Sequence, residues 1–345
     1  MHCNVVFESR ELKIVNIVAG ELLASKVYDA DWNSPVVWLL TPFWSLLHDP
    51  DCVAGLARIA TVLPSSQRIC VLINEPAERE VLAAIPNVET YFVNQNAFVS
   101  PRVFDIRPSA KPFDAVLNAR PLRFKRAHLC ARVDNLCCVR LNPDICRNAP
   151  DFQEPVSLRP AFVNHETLGL ADVARLLNQS WCGLCLSECE GACYASTEYL
   201  YCGLPVVSTP SIGGRQVWYN ERNSVIVEPS EAAVADGVAR LKQLLASGAL
   251  DPQTIRHDAL SLRATFLARA EEMIGRYLAE FGLLQRTTAR DVVMRWVREA
   301  DGTGIHLKSF ADARRASEYL KAGNVWYWRE VVKKNSLSDH AGARN

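Results

Sequence analysis

The sequence predicts an α/β chain with two parallel sheets, and three features carry that expectation. Apolar runs of strand length alternate with stretches of helical period through the first hundred residues, the pattern of βαβ units. A polar, proline-containing passage from Asp105 to Pro112 interrupts the pattern, and a fresh strand begins at Phe113. Residues 181–210, WCGLCLSECEGACYASTEYLYCGLPVVSTP, read as a buried strand, a glycine-containing loop, a short helix and a second buried strand. The second half of the chain is organised around this unit.

In the first half, VVWLLTPFW from Val36 and RICVLIN from Arg68 read as buried strands, and VETYFVNQNAFV from Val88 as a strand with its exit loop. Helices fit between Cys52 and Val62 and over AEREVLAAI from Ala77. No G-x-G-x-x-G marks a dinucleotide site there. After the boundary, Phe113 to Asn118 reads as a strand, with a helix starting near Phe124. A strand-to-helix turn carrying Arg120, Arg123, Lys125 and Arg126 beside free N–H groups suits a diphosphate; a solvated basic turn is the plainer alternative. Further on, a strand follows Leu136, another ends at Phe162 and Val163, and a helix spans about Leu170 to Asn178. After the central unit, Val225 to Val227 form a short strand, and Ser230 caps a helix from Glu231 to Ser247. Asp251-Pro252 opens a long helix to about Phe281. The expected division is 1–110, 111–285, a helical extension over 286–335, and a tail over 336–345.

Within the central unit, Glu190 precedes Gly191 in the loop and Glu198 lies in the helix. Two glycosidase carboxylates stand roughly 5 to 9.5 Å apart across one bond. Eight residues of helix span about 12 Å, so one elongated ligand held at two points fits better. Two solvated helix-end glutamates are the bland alternative, about as well supported by spacing alone. Gly203 followed by Pro205 ends the helix.

Lysine plus arginine and aspartate plus glutamate number 38 each, so no broad charge favours nucleic acid or an anionic membrane. No stretch reaches the roughly 20 apolar residues of a membrane span, and the N-terminal residues lack a signal-peptide pattern. The expected location is the cytosol, at most peripheral to a membrane. Cys182, Cys185, Cys189 and Cys193 form C-x2-C-x3-C-x3-C, a spacing seen in metal sites. Cys182 and Cys185 fall on opposite faces of a strand, so structural thiols are the better reading.

Ser187-x-x-Glu190-Gly191, the seven residues separating Glu190 from Glu198, and the run from Cys202 to Thr209 (CGLPVVST) resemble the signature of the group 1 family of retaining glycosyltransferases. The resemblance implies a GT-B fold of two facing Rossmann-like domains, here with a short N-terminal, acceptor-side one. It implies that Glu190 faces the donor sugar and Glu198 the nucleotide ribose, with Ser187, Gly191, Ala192, Cys193 and Thr209 around the donor. Arg120 and Lys125 match the spacing of the family's diphosphate-neutralising pair, although Ala119 and Arg126 stand where glycines are usual. Gly213 and Gly214 match a glycine turn that closes on the donor, but Arg215 and Gln216 replace the usual Pro-Glu. Arg215 reads equally as a phosphate ligand or an exposed turn residue. Arg126 reads as an extra phosphate or acceptor contact. His165 reads as a surface histidine, with contact to the base as the alternative. Asn94, Gln95 and Asn96 read as a polar turn, with acceptor contact as the alternative.

The implied substrate is a nucleotide sugar, with no metal or other cofactor, and with a glycan, lipid-linked, small-molecule or protein acceptor. A sugar-nucleotide epimerase and a non-catalytic nucleotide-sugar-binding protein are the rivals. His48 stands alone well inside the first half without a family motif, so no base is assigned. In GT-B proteins a C-terminal helix braces the first domain; Ala289 to Asp301 or the tryptophan-rich VWYWREVV from Val325 fits that role. Trp326 and Trp328 fit an oligomer contact or core equally well.

Overall fold

The computed structural model describes residues 2–29, 32–140, 151–153, 158–299 and 308–309. It has two six-stranded sheets. The first is built from β1 (His2–Glu8), β2 (Lys13–Val18), β3 (Val36–Thr41), β4 (Gln67–Ile73) and β5 (Val88–Phe92), with β12 (Lys308–Ser309) pairing outside β1. From β2 to β5 the strands are parallel and adjacent in chain order; β1 is antiparallel to both neighbours. Helices α1 (Ala19–Ser25), α2 (Pro50–Val62) and α3 (Glu78–Leu82) connect them.

The second sheet contains β6 (Phe113–Asn118), β7 (Leu136–Val139), β8 (Phe162–Val163), β9 (Ser180–Cys185), β10 (Val206–Ser208) and β11 (Ser224–Ile226). All are parallel, in the order β11-β10-β9-β6-β7-β8. Helices α4 (Leu170–Asn178), α5 (Tyr194–Tyr201) and α6 (Glu231–Ala246) belong to this half. The chain thus has the two Rossmann-like sheets expected of a GT-B protein.

The sequence pattern predicts no strand before Val36, yet β1 and β2 lie there, and polar residues inside them are the reason. Asn4, Lys13 and Asn16 interrupt the apolar runs yet are buried. Asn16 donates to Leu39 O at 2.9 Å and Thr41 Oγ1 at 2.6 Å, and Lys13 pairs with Glu8 at 2.8 Å. Buried polar groups are tolerated when partnered, so hydropathy alone misses such strands. Helix α3 is shorter than its apolar period suggests. Glu78 is fully buried at its first position, accepting N–H bonds from Leu46 and Asn74 rather than facing water.

A second difference lies after Arg120. The expected helix near Phe124 is replaced by two 3-10 turns, Arg123–Lys125 and Ala127–Cys130, broken at Arg126 with φ of 49°. The Arg126 guanidinium reaches across to Leu186 O, Ser187 O, Thr209 Oγ1 and Pro210 O. Four acceptors on one side chain outweigh the strain of a left-handed residue.

The predicted caps of the two long helices are present. Ser230 accepts from Ala233 N at 3.2 Å, and Asp251 accepts from Gln253 and Thr254 N–H, with Pro252 in the first turn. Helix α7 (Pro252–Glu280) leaves the second half and packs on β5, and Phe266 meets Phe92 edge-on at 5.1 Å. Helix α8 (Ala289–Glu299) continues back to β1, with Trp296 against Phe98 at 4.4 Å. One buried apolar cluster therefore runs through both halves, from Ile14 and Leu72 to Val116, Tyr199 and Met273. Trp326 and Trp328 lie outside the described residues.

Candidate active site

The second sheet winds in opposite directions from its centre. The chain passes from β6 outward to β7 and β8, and from β9 outward to β10 and β11. Loops leaving β6 and β9 at their carboxyl ends therefore diverge and leave a crevice, the usual ligand position in open parallel sheets. A cavity of about 500 Å³ occupies that place. Its walls come from Asn118 at the end of β6 with Ala119 and Arg120 after it, from Val139 at the end of β7 with Arg140 after it, and from Glu190 through Ala195, the end of the loop after β9 and the start of α5. Thr167 and Leu168 close one side, and Phe43, Trp44 and Gln95 of the first half close the other.

Lys125 and Glu190, 65 positions apart in the chain, form an ion pair inside this wall. Both are largely shielded, with 18% and 9% of their side chains exposed. Burial holds the Lys125 ammonium below the usual lysine range. Glu190 Oε2 is buried with no hydrogen-bond partner among the described residues. Glu198, on the inner face of α5, accepts from Asn118 Nδ2 at 2.7 Å, and burial raises its carboxyl to about 7. Arg120 is exposed at the mouth. Ala192 and Cys193 line the cavity where α5 begins. The arrangement offers two cations and two carboxylates to one elongated polar ligand, with an apolar wall behind them.

Other candidate residues stand elsewhere. Arg215 is 1% exposed and not at the surface of a turn: its guanidinium bonds to Ser187 Oγ and to Thr209 O at 3.0 Å. Thr209 Oγ1 donates to Leu186 O at 3.3 Å and accepts from Arg126 at 2.8 Å. Ser187, Thr209, Arg126 and Arg215 thus tie the ends of β9 and β10 together, and none of the four lines the main cavity. His165 is exposed and outside the lining, as is His48.

The glycines are engaged too. Gly191 lines the cavity, but its N–H donates to Phe43 O at 3.2 Å. Gly214 N–H donates to Gly191 O at 2.6 Å, and Gly213 N–H faces the Glu75 carboxylate. A β-carbon at Gly213, where φ is 121°, would lie 1.5 Å from Glu190 O. Only glycine permits that approach. The turn clamps the Glu190 loop rather than presenting spare donors.

Asn94, Gln95 and Asn96 are buried, not an exposed polar turn. Asn94 donates to Asn74 O and Gly214 O, both at 2.9 Å, and accepts from Trp218 Nε1 at 2.9 Å. Asn96 donates to Ala192 O at 2.9 Å and Cys193 O at 3.1 Å. The run joins the first half to the loop that carries Glu190. Only Gln95 reaches the cavity wall. Sequence reasoning missed Phe43, Trp44, Asn118 and Arg140 at the site. Of these, Asn118 had a signal, the last polar residue of a strand already read as opening the second half. Cys182 and Cys185 lie in different apolar clusters, and among the described residues no three metal-ligating side chains converge. Among those residues too, no helix is long and apolar enough to cross a membrane.

Comparison with known proteins gives a family match over part of the chain. Residues 148–244 match the family model for glycosyl transferases group 1. No curated protein matches the sequence. Among solved structures, TarM is similar at 14% identity and a TM-score of 0.45, over 83% of this chain and 54% of its own, so this chain spans about half of its length. Sucrose-phosphate synthase from Thermosynechococcus elongatus gives 16% identity and a TM-score of 0.49, over 74% and 76% of the two chains. Anabaena Alr3699/HepE in complex with UDP gives 13% and 0.44, over 72% and 78%. The motif around Glu190 lies inside the matched span, and on that span this chain is similar to the group 1 glycosyltransferase family.

Proposed function

We propose that the chain is a glycosyltransferase that moves a sugar from a nucleotide-sugar donor to an acceptor hydroxyl with retention of configuration. The observation that carries this reading is the Lys125–Glu190 pair in the wall of a cavity at the switch point of the second sheet, with Arg120 at its mouth. Departure of a nucleoside diphosphate builds negative charge on its leaving oxygen. Arg120 and Lys125 supply fixed cations for that charge without a metal, in a partly desolvated site where such charges act strongly. A diphosphate would draw Lys125 from Glu190, leaving the carboxylate to accept from sugar hydroxyls. Glu198, already partnered by Asn118, would meet the ribose. The acceptor would approach from the Phe43 and Trp44 side, onto the face the diphosphate leaves. Hexosyl transfer is the form this reading takes, and the screen below selects among bases and sugars.

A thermal-shift screen over UDP, GDP, ADP and TDP sugars tests the binding step, because a ligand of the folded state raises Tm with its concentration over Kd. One nucleotide sugar should raise Tm, and the anomeric configuration of the transferred sugar should match the donor's. A flat response to all of them sinks the reading. The engaged N–H groups of Gly191, Gly213 and Gly214 favour one second reading, a non-catalytic nucleotide-sugar-binding protein. That protein would shift in Tm yet release no free nucleotide on any acceptor tried.

A further inference from the structure

Strand β9 ends at Cys185 and α5 begins just after Cys193, so the loop carrying Glu190 departs from and returns to one place. The two sulfurs are 3.9 Å apart, with the Cys193 thiol donating to Cys185. Lys125, Arg215 and the Tyr219 hydroxyl also face the Cys185 sulfur. Burial raises that thiol, but the Cys193 donor, Arg215, Tyr219 and Lys125 more than offset it and hold it below the usual thiol range, which favours its thiolate. The thiols outside this pair that have a resolved shift, among them Cys130, Cys137, Cys138 and Cys182, are pushed up by burial. They behave as small hydrophobes.

Two further observations single out this pair. Cys193 has φ of 62°, a left-handed conformation in which a β-carbon is strained and glycine would sit freely. Its side chain is held there by the bond to Cys185. Both cysteines also border a gap of about 10 Å³ beside Asn118, Lys125 and Ala195, and Cys193 lines the main cavity. That gap is the size of one water, and Asn118, Lys125, Cys193 and Ala195 line both it and the main cavity, so the two adjoin at the Cys193 sulfur.

We propose that Cys185 and Cys193 are a peroxide-reactive dithiol that closes into a disulfide across the Glu190 loop. The Cys185 thiolate attacks one oxygen of hydrogen peroxide; the O–O bond breaks, and the departing hydroxide takes up a proton to become water. Cys185 is then a sulfenic acid. The Cys193 sulfur attacks it, an S–S bond forms as the S–O bond breaks, and the leaving hydroxide takes the Cys193 proton as a second water. The two thiols lose two electrons and one peroxide gains them. The sulfurs must close to about 2.05 Å, and the ring so formed contains Ser187, Glu190 and Gly191. Closure removes the thiolate facing Lys125 and Arg215 and draws the Cys193 side chain away from the cavity.

The test is intact-mass measurement and peptide mapping of the full chain after hydrogen peroxide at neutral pH. The expected result is a loss of two hydrogens, a crosslinked peptide joining Cys185 to Cys193, and recovery with a thiol reductant. Cys193→Ser should instead gain one oxygen in intact mass, which peptide mapping of the unfolded chain places on Cys185. The proposal is overturned if Cys185 and Cys193 stay free at a dose that oxidises Cys189, or if Cys185 links to Cys189. None of these readouts involves a sugar nucleotide, so they stand or fall apart from the transferase reading.

Discussion

Two turns of the second half invite comparison. One follows β6 and carries Arg120 and Lys125; the other follows β10 and carries Gly213, Gly214 and Arg215. Both are short, polar and cationic at the carboxyl end of a parallel strand, and both read from sequence as donor-facing. In the first, Arg120 is exposed and Lys125 holds a single carboxylate beside the cavity. In the second, Arg215 is fully buried on Ser187 and Thr209, and the glycine N–H groups are taken by Gly191 and Glu75. The difference is the company each turn keeps. A cation whose partners are a neighbouring strand's hydroxyl and carbonyl is part of the scaffold. One whose partner is a loop carboxylate with an unmatched oxygen can exchange it for a ligand.

The largest effect should come from breaking the first turn. Lys125→Ala strands Glu190 in a shielded site, a change that costs about 3–5 kcal/mol for a buried pair. If transfer is measured under conditions where the variant stays folded, loss of the charge should lower kcat by roughly 10²–10³. Urea unfolding and initial rates check the two halves of that statement. The second turn should break differently. Arg215→Ala leaves the Ser187 hydroxyl and Thr209 carbonyl short of a donor, about 1–3 kcal/mol by denaturant unfolding. In the protein that remains folded, donor affinity should stay within a few-fold of the parent, because Arg215 does not line the cavity.

Glu198 sharpens the comparison through pH. Its carboxyl is raised by burial from 4.5 to about 7, so between those values the folded state holds a proton that the unfolded state has lost. Stability therefore falls as pH rises through that window and levels off above it. Glu198→Gln should flatten the curve and leave the protein more stable than the parent above about pH 7. A parallel pH profile in both proteins would refute the assignment. The smallest effect should come from the Arg68–Glu280 pair between β4 and α7. Both side chains are about two-fifths exposed, so Arg68→Ala should cost only about 0.2–1 kcal/mol and fade with added salt.

Much of the second half was legible because its signals are local. Gly203 before Pro205, the Ser230 and Asp251 caps, and the apolar runs of β6 and β10 each depend on residues a few positions away. The first two strands were not legible, since Asn16 is satisfied by Leu39 and Thr41, whose proximity only the folded sheet creates. The same holds at the site. Glu190 and Glu198, singled out by the motif, and Lys125, singled out by its spacing from Arg120, line one cavity. Nothing local could show that Phe43 takes the Gly191 N–H or that Asn96 holds the Ala192 and Cys193 carbonyls. The sequence leaves Arg215 open between ligand and surface, and its burial against Ser187 after β9 and Thr209 after β10 is a third outcome.

Calorimetric titration of a nucleotide sugar identified by the thermal screen, into the parent chain, Arg120→Ala and Arg123→Ala, asks whether the turn after β6 holds the donor. Arg120 and Arg123 are both exposed and three residues apart, but only Arg120 lines the cavity. Arg120→Ala should weaken binding by about tenfold or more, the loss of one charge-assisted contact, while Arg123→Ala should bind like the parent. Equal losses in both variants, or none in Arg120→Ala, would contradict it.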